Sequence, residues 1–121
     1  MAGAIPILRL GATLLVTVHV DLDDEVAQEM QADLLLAIER HGARGLIVDI
    51  TGLDTVDSYV ARILAETGRM AKLMGADTVL VGMRPEFAAT LVRMGYAMTG
   101  TRTALNVEAG LAMLGQKLAP V

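Results

Sequence analysis

The fold is decided by residues 45–58, which read GLIVDITGLDTVDS. A glycine opens the short apolar run of residues 45–50, as is typical of a strand that is covered on both faces. Residues 51–56 mix Gly, Asp and Thr with apolar residues and predict a loop. Asp57 then stands where a helix N-cap is expected, which places Ser58 in the first helical turn. The stretch therefore predicts a central strand, a loop and the start of a helix.

The residues before this stretch begin with two apolar or β-branched runs. Residues 5–10 and 13–20 are separated by Gly11-Ala12, which is typical of two strands joined by a tight turn. The chain is therefore expected to start with an antiparallel hairpin.

A helix is predicted to follow the hairpin and to run from about residue 23 to residue 40. Asp21 or Asp23 can cap it, and Gly42 is expected to end it. Its apolar residues recur at helical spacing, at Val26, Ala27, Met30, Leu34, Ala37 and Ile38.

The second helix is predicted to start at Asp57 and to end at Gly75, which has the position of a C-terminal capping glycine. Residues 77–82 then form another short apolar run and predict a buried strand. The expected inner stripe of the helix is Val60, Ile63, Leu64, Thr67, Ala71 and Met74, and its outer stripe is Tyr59, Arg62, Glu66 and Arg69.

A third helix is predicted to open with Pro85 at its first position and to stop at Gly95. Its inward residues are expected to be Ala88, Leu91 and Val92. Residues 96–105 leave open whether a further strand is present. Asn106 is expected to cap a last helix that reaches about residue 118.

The sum of these elements predicts one α/β domain over residues 1–121. The hairpin requires an antiparallel pair and the later β-α-β units require parallel neighbours, so the sheet is expected to be mixed, with four or five strands. About four helices are expected to cover it, mainly on one face.

Composition excludes several classes of function. The net charge is −4 without any run of Lys or Arg, which disfavours nucleic acid as a partner. The absence of Cys excludes disulfides, thiol catalysis and thiolate zinc sites. No apolar stretch approaches the roughly 20 residues that span a bilayer, and residues 10–18 lack the features of a signal peptide. A cytoplasmic protein that does not enter the membrane is expected.

Motifs for phosphate cradles, dinucleotide turns and nucleophile elbows are missing from the sequence. His19 and His41 lie far apart, and the acidic set of Asp21, Asp23, Asp24 and Glu25 is explained by capping and the helix dipole. Neither a metal nor a cofactor is therefore expected.

Asp49 has one enzymatic interpretation, because phosphate-accepting receiver domains place an Asp at the carboxyl end of a central strand. That chemistry also needs an acidic pair after the first strand to hold magnesium, and here the first strand ends in Leu10-Gly11. An Asp49-centred phosphotransfer domain remains the enzymatic alternative.

Ser58 is the remaining candidate. Its predicted place in the first turn, after the capping Asp57, puts its hydroxyl at the surface near unpaired backbone N–H groups. From spacing alone, Ser58 can be either a part of the cap or a functional residue.

At this point the sequence resembles STAS domains, the family of bacterial anti-sigma-factor antagonists. The likeness covers nearly the whole chain and rests on the order of the elements and on residues 46–58. In that family, the Ser or Thr after the Asp at the start of the second helix is phosphorylated by a partner kinase. The resemblance therefore implies that Ser58 is a phosphoacceptor, and it implies no catalytic residue.

Four further stretches, residues 5–10, 70–76, 90–95 and 103–111, are similar to the small STAS-only scaffolds of the stressosome. That resemblance implies self-association and co-assembly with larger STAS paralogues that carry sensor domains. It also implies that the unmodified assembly sequesters a switch serine kinase, that phosphorylation releases the kinase and that a phosphatase resets the scaffold.

The partner surface is expected around Ser58, at Asp54, Asp57, Tyr59 and Arg62. A phosphate adds about −1.5 to −2 charges there. Arg62, one turn along, and the helix N-terminus are expected to accommodate that charge without unfolding.

Thr90 is a second candidate phosphosite, because residues 84–90 resemble a stretch of the larger paralogues in which a second Thr is modified. A structural helix Thr is the preferred interpretation. Two further alternatives stay open: a simple anti-sigma-factor antagonist that binds an anti-sigma kinase, and a STAS domain that binds a small anion or lipid.

Overall fold

A computed structural model describes residues 5–18, 23–53, 57–95 and 101–115. The first half of the described chain contains β1 (Ile7–Leu10), β2 (Thr13–Thr17), α1 (Asp24–His41) and β3 (Gly45–Asp49). The second half contains α2 (Ser58–Leu73), β4 (Asp77–Val81), α3 (Pro85–Met94), β5 (Thr101–Ala104) and α4 (Val107–Met113).

The five strands form one mixed sheet in the order β1-β2-β3-β4-β5. β1 pairs with β2 in antiparallel fashion, and Gly11 at φ 62° makes the tight turn between them. The pairs β2–β3, β3–β4 and β4–β5 are parallel. The predicted mixed sheet is confirmed, and β5 settles the number of strands at five in the described part of the chain.

Local capping signals set the starts of the helices within about one residue of their predicted positions. The Asp23 carboxylate accepts from the Val26 N–H at 2.8 Å, and Gly42 in the left-handed conformation ends α1. Asn106 caps α4 by accepting from the Ala109 N–H at 2.8 Å. α4 itself ends at Met113, earlier than predicted, and residues 116–121 lie outside the described part.

The described residues form two cores, one on each face of the sheet. The main core lies under α1, α2 and α3, and the second core lies under α4. The main core includes Leu14, Val16, Leu46, Val48 and Leu80 from the strands, with Leu34, Leu64 and Leu91 from the helices. The second core comprises Ile47, Val79, Val81 and Leu111. β3 therefore contributes to both cores, as its continuous apolar run predicted.

Three side chains differ in burial from the predicted inner and outer stripes of α2 and α3. Val92 is 79% exposed, because the buried face of α3 is set by Phe87 and Leu91, which are four residues apart. Met74 is 43% exposed, because the helix ends at Leu73 and the helical phase no longer applies. Tyr59, predicted for the outer stripe of α2, is half-buried and packs against the main core.

None of the helices in the described part of the chain combines the length and the apolar character of a bilayer span.

Gly68 allows α2 to approach β5 closely. A Cβ atom at this position would collide with the Thr101 hydroxyl and would lie 3.4 Å from the Thr101 Cβ. Gly68 is otherwise an unfavourable residue in the middle of a 16-residue helix. The close contact with the sheet explains why the helix contains it.

We expect Gly68→Ala to destabilise the protein by about 1–3 kcal/mol, because steric overlap outweighs the roughly 1 kcal/mol that Ala gains in helix propensity. The Thr101 hydroxyl has no hydrogen-bond partner among the described residues, so Thr101→Ala removes the obstacle without breaking a hydrogen bond. In a double-mutant cycle followed by urea unfolding, Thr101→Ala should recover much of the loss. A stabilising effect of Gly68→Ala alone would contradict this packing.

Candidate functional site

The candidate site lies at the edge where the parallel strands end, at Thr17, Asp49, Val81 and Ala104, which we call the carboxyl edge. Backbone hydrogen bonds continue the sheet slightly beyond these strand ends. The Ile50 N–H donates to the Val81 carbonyl at 2.9 Å, and the Gly82 N–H donates to the Ala104 carbonyl at 3.2 Å. The segments that follow β3 and β4 are therefore each tied to the end of the neighbouring strand.

The segment after β3 makes an ordered turn. The Asp49 carboxylate accepts from the Thr51 N–H at 3.0 Å, and the Leu53 N–H donates to the Ile50 carbonyl at 3.0 Å. Ile50 and Leu53 are both buried in the main core, so the turn is anchored at two points. Asp54, predicted as a partner-binding residue, lies outside the described residues.

Asp57 is the N-cap of α2. Its carboxylate accepts from the Val60 N–H at 2.9 Å, and its carbonyl accepts from the Ala61 N–H at 3.1 Å. Ser58 is the first residue of the helix and is exposed. Within the described part of the chain its hydroxyl makes no hydrogen bond. The capping role therefore belongs to Asp57, and the Ser58 hydroxyl is accessible.

The two other predicted docking residues follow on the same helix. Tyr59 exposes only part of its ring, because the rest packs against the main core. Arg62 is exposed, and its Nε lies 3.2 Å from Glu66 Oε2, one turn further along α2. An exposed pair of this kind is worth about 0.3–0.5 kcal/mol. Arg62, which was expected to pair with a phosphate on Ser58, therefore already forms an ion pair with Glu66.

Arg84 is a residue of this site that the sequence reasoning missed. It is exposed and precedes Pro85 at the start of α3, and its Nη2 donates to the Thr51 carbonyl at 3.2 Å. Because Gly82 has no side chain, the turn after β4 can approach Thr51 closely; a Cβ atom at Gly82 would lie 2.9 Å from the Thr51 Cα. The φ of 80° at Gly82 also favours glycine. A Gly-x-Arg-Pro pattern directly after a parallel strand was the available signal.

Thr90 lies within α3 and is half-buried. Its hydroxyl donates to the Glu86 carbonyl at 2.9 Å, and Arg93 Nη2 lies 3.5 Å from the same oxygen. These bonds agree with the preferred structural interpretation. Modification of Thr90 stays a prediction.

Other polar groups offer little catalytic chemistry. Within the described residues, no group of three or more His, Asp or Glu could hold a metal ion.

Asp77 lies at the opposite edge of the sheet, 2.7 Å from Lys72 Nζ, and the hydrogen bond from Lys72 holds the pKa of Asp77 below its usual range. His41 is exposed, with its Nδ1 3.4 Å from Arg9 Nη1, and His19 and Asp21 lie outside the described residues.

The sequence matches the STAS domain family over residues 4–109. The chain belongs to the STAS domain family. The described fold, a mixed five-stranded sheet with four helices, agrees with that membership. The resemblance inferred from residues 46–58 is confirmed.

Among solved STAS structures, the S58E form of RsbS from Moorella thermoacetica is 36% identical, with a TM-score of 0.81. The match covers 92% of this chain and 94% of that chain. A second structure, described as the molecular architecture of the stressosome, is 35% identical with a TM-score of 0.76, over 91% of this chain and 96% of that chain.

Among curated proteins, the RsbT co-antagonist protein RsbRA of Bacillus subtilis (strain 168) is 31% identical over 90 residues. The match covers 74% of this chain and 33% of RsbRA. The chain thus spans about a third of the length of the curated relatives it matches first.

The division of roles between Asp57 and Ser58 can be tested by stability. We expect Asp57→Ala to cost about 1 kcal/mol, because the Val60 N–H loses its acceptor. Ser58→Ala should change the free energy of unfolding by less than about 0.5 kcal/mol, because it removes an exposed hydroxyl that bonds to none of the described residues. Urea denaturation of the two variants measures both effects. Equal losses would mean that Ser58 shares the capping role.

Proposed function

We propose that this chain is a non-catalytic scaffold subunit of a stressosome, located in the cytoplasm. In this proposal the unmodified scaffold holds a switch serine kinase, phosphorylation of Ser58 releases the kinase and a phosphatase restores the starting state. The observation that carries the proposal is the exposed Ser58 hydroxyl, which follows the capping Asp57 and makes no hydrogen bond in the described part of the chain.

The relatives support the proposal. The Moorella RsbS structure matches along almost the whole of both chains, and it is a variant in which a serine numbered 58 is replaced by glutamate. The second structure comes from work on the stressosome itself. RsbRA is named a co-antagonist of RsbT and is about three times the length matched here, which fits a larger paralogue as an assembly partner.

Phosphorylation at this position can act without unfolding the domain. Ser58 is exposed, and α2 is anchored by eight buried residues further along, so the phosphate projects from a rigid support. The added charge of about −1.5 to −2 lies next to the carboxylate of Asp57. A partner that covers this surface would have to desolvate a strongly hydrated anion beside another carboxylate, and its affinity should fall.

The proposed docking surface comprises Asp57, Ser58, the exposed part of Tyr59 and Arg62, together with Asp54. Tyr59 suits such a surface, because a half-buried aromatic ring is held in place by the core while its free part remains available. Arg62 contributes a positive charge that already has a carboxylate partner in Glu66.

The enzymatic alternative centred on Asp49 has less support. The Asp49 carboxylate accepts a hydrogen bond from the Thr51 N–H and shapes the turn that leads to α2. No metal-binding acidic cluster accompanies it in the described residues. A structural role accounts for Asp49.

We expect a cognate switch kinase with ATP to label the wild-type chain at Ser58. The label should resist hydroxylamine, because a phosphoserine ester is stable under conditions that cleave an acyl phosphate on Asp49. Thr90→Ala, the matched control, should still be labelled at Ser58. Phosphosite mapping by mass spectrometry gives the result, and a label confined to Asp49 or Thr90 would contradict the assignment.

We expect Ser58→Ala to stay folded and to retain the kinase in pull-downs in the presence of ATP. Ser58→Asp should weaken capture only partly, because one carboxylate carries less charge and fewer acceptor oxygens than a phosphate. The assignment is wrong if Ser58→Ala releases the kinase as readily as the phosphorylated wild-type chain does.

We also expect self-association and co-assembly with a larger STAS paralogue. Multi-angle light scattering at micromolar concentration, alone and after mixing, should show species much larger than the 12.8 kDa monomer. A simple anti-sigma-factor antagonist would stay small alone and with its kinase. Monomer under every condition would count against the scaffold proposal.

A further inference from the structure

The carboxyl edge carries one cation whose role the proposed function leaves open, Arg84. Its guanidinium has five N–H donors, and the described structure shows one hydrogen bond from it, to the neutral carbonyl of Thr51 at 3.2 Å. Within the described residues Arg84 has no carboxylate partner. A fixed positive charge with unused donors therefore lies beside the segment that leads to Ser58.

The position of Arg84 is set by the fold. Strand pairing aligns Val81 with Asp49, so Arg84 and Thr51 both lie two or three residues beyond the ends of neighbouring parallel strands. The absence of a side chain at Gly82 lets the turn after β4 touch Thr51 directly. The helix that starts after Arg84, α3, packs against α2, which begins at Ser58. Both helices follow parallel strands that end at the carboxyl edge, and both pack against the main core, so both begin at this edge on the same face of the sheet.

Arg62 is the competing candidate, because it lies four residues after Ser58 on the same helix. Its guanidinium is already paired with Glu66, which carries a full negative charge. To bind a phosphate, Arg62 would have to give up or share that carboxylate. Arg84 would exchange or share only an uncharged carbonyl for an ion pair with the phosphate, whose oxygens fit the planar fork of the guanidinium.

We propose that Arg84 is the positioning residue of the switch: its guanidinium holds the Thr51 turn in the unmodified protein and pairs with the phosphate once Ser58 is phosphorylated. The inference rests on Ser58 being the phosphoacceptor of the proposed function. The same side chain then connects the phosphate to the turn after β3 and to the start of α3. The modified serine is held in a defined position on the surface that a partner meets.

The charges around the phosphate determine how the pairing can be measured. Asp49 and Asp57 lie on the segment that leads into α2, Glu86 lies in the first turn of α3, and Arg62 and Glu66 form their own pair on α2. The carboxylates disfavour the second ionisation of the phosphate, and a paired guanidinium favours it. Removing Arg84 leaves all of these carboxylates in place.

The test uses the full chain with phosphoserine inserted at position 58 during translation, so that no kinase is needed. The pH midpoint of the second phosphate ionisation, about 6 for an unperturbed phosphoserine, is read from the ³¹P resonance. We expect Arg84→Gln to raise this midpoint by roughly half a unit to one unit relative to the wild-type chain. Arg84→Lys should give an intermediate value, since it keeps the charge but loses the planar fork.

Arg62→Gln is the matched control and should leave the midpoint unchanged. The proposal is overturned if Arg62→Gln produces the shift while Arg84→Gln does not, or if neither variant changes the midpoint. A second measurement needs no variant: in the wild-type chain, the side-chain Nε–H resonance of Arg84 should move on phosphorylation more than that of Arg62. A larger movement at Arg62 would overturn the proposal even if Arg84→Gln failed to fold.

The outcome is independent of the kinase experiment. If the cognate kinase labels another residue, the proposed function fails whatever the ³¹P titration shows. If the kinase labels Ser58 but the midpoint does not depend on Arg84, only the role of Arg84 fails.

Discussion

The structure depends on the burial of β3 on both of its faces. Leu46 and Val48 point into the main core under α1, α2 and α3, while Ile47 points into the second core under α4. A strand in this position must be central, and its parallel neighbours β2 and β4 must connect to it through helices. The carboxyl edge is a consequence, because parallel strands that share a register end together. The turn after β3 is therefore positioned by the same apolar residues that stabilise the domain.

The site combines a rigid support with an accessible hydroxyl. Ile50 and Leu53 anchor the turn after β3, Asp57 caps α2, and the buried side of α2 begins at Val60. Ser58 lies between these anchors and takes part in none of them. Such an arrangement suits a switch that is read by charge, because a modification changes the electrostatics of the surface while the packing underneath stays the same.

The two arginines near the site show how local and tertiary contacts differ. Arg62 and Glu66 are four residues apart on one helix, and their pairing follows from helical geometry alone. Arg84 and Thr51 are separated by 33 positions, and they meet only because β3 and β4 are adjacent and in register. Spacing within a helix favoured Arg62 as the partner of a phosphate, whereas the described contacts give Arg62 a carboxylate partner and Arg84 only an uncharged carbonyl.

The sequence by itself determined the order of the elements, the capping residues Asp57 and Asn106, the central strand and the exposed place of Ser58. These features depend on residues within about four positions of one another, or on the apolar character of a single run. Only the tertiary structure decided that residues 101–104 form a fifth strand and that α4 covers the opposite face of the sheet. It also decided that Phe87 and not Val92 is buried, and that Gly82 and Arg84 contact Thr51. Each of these depends on which distant segments lie side by side, and local propensity and periodicity do not contain that information.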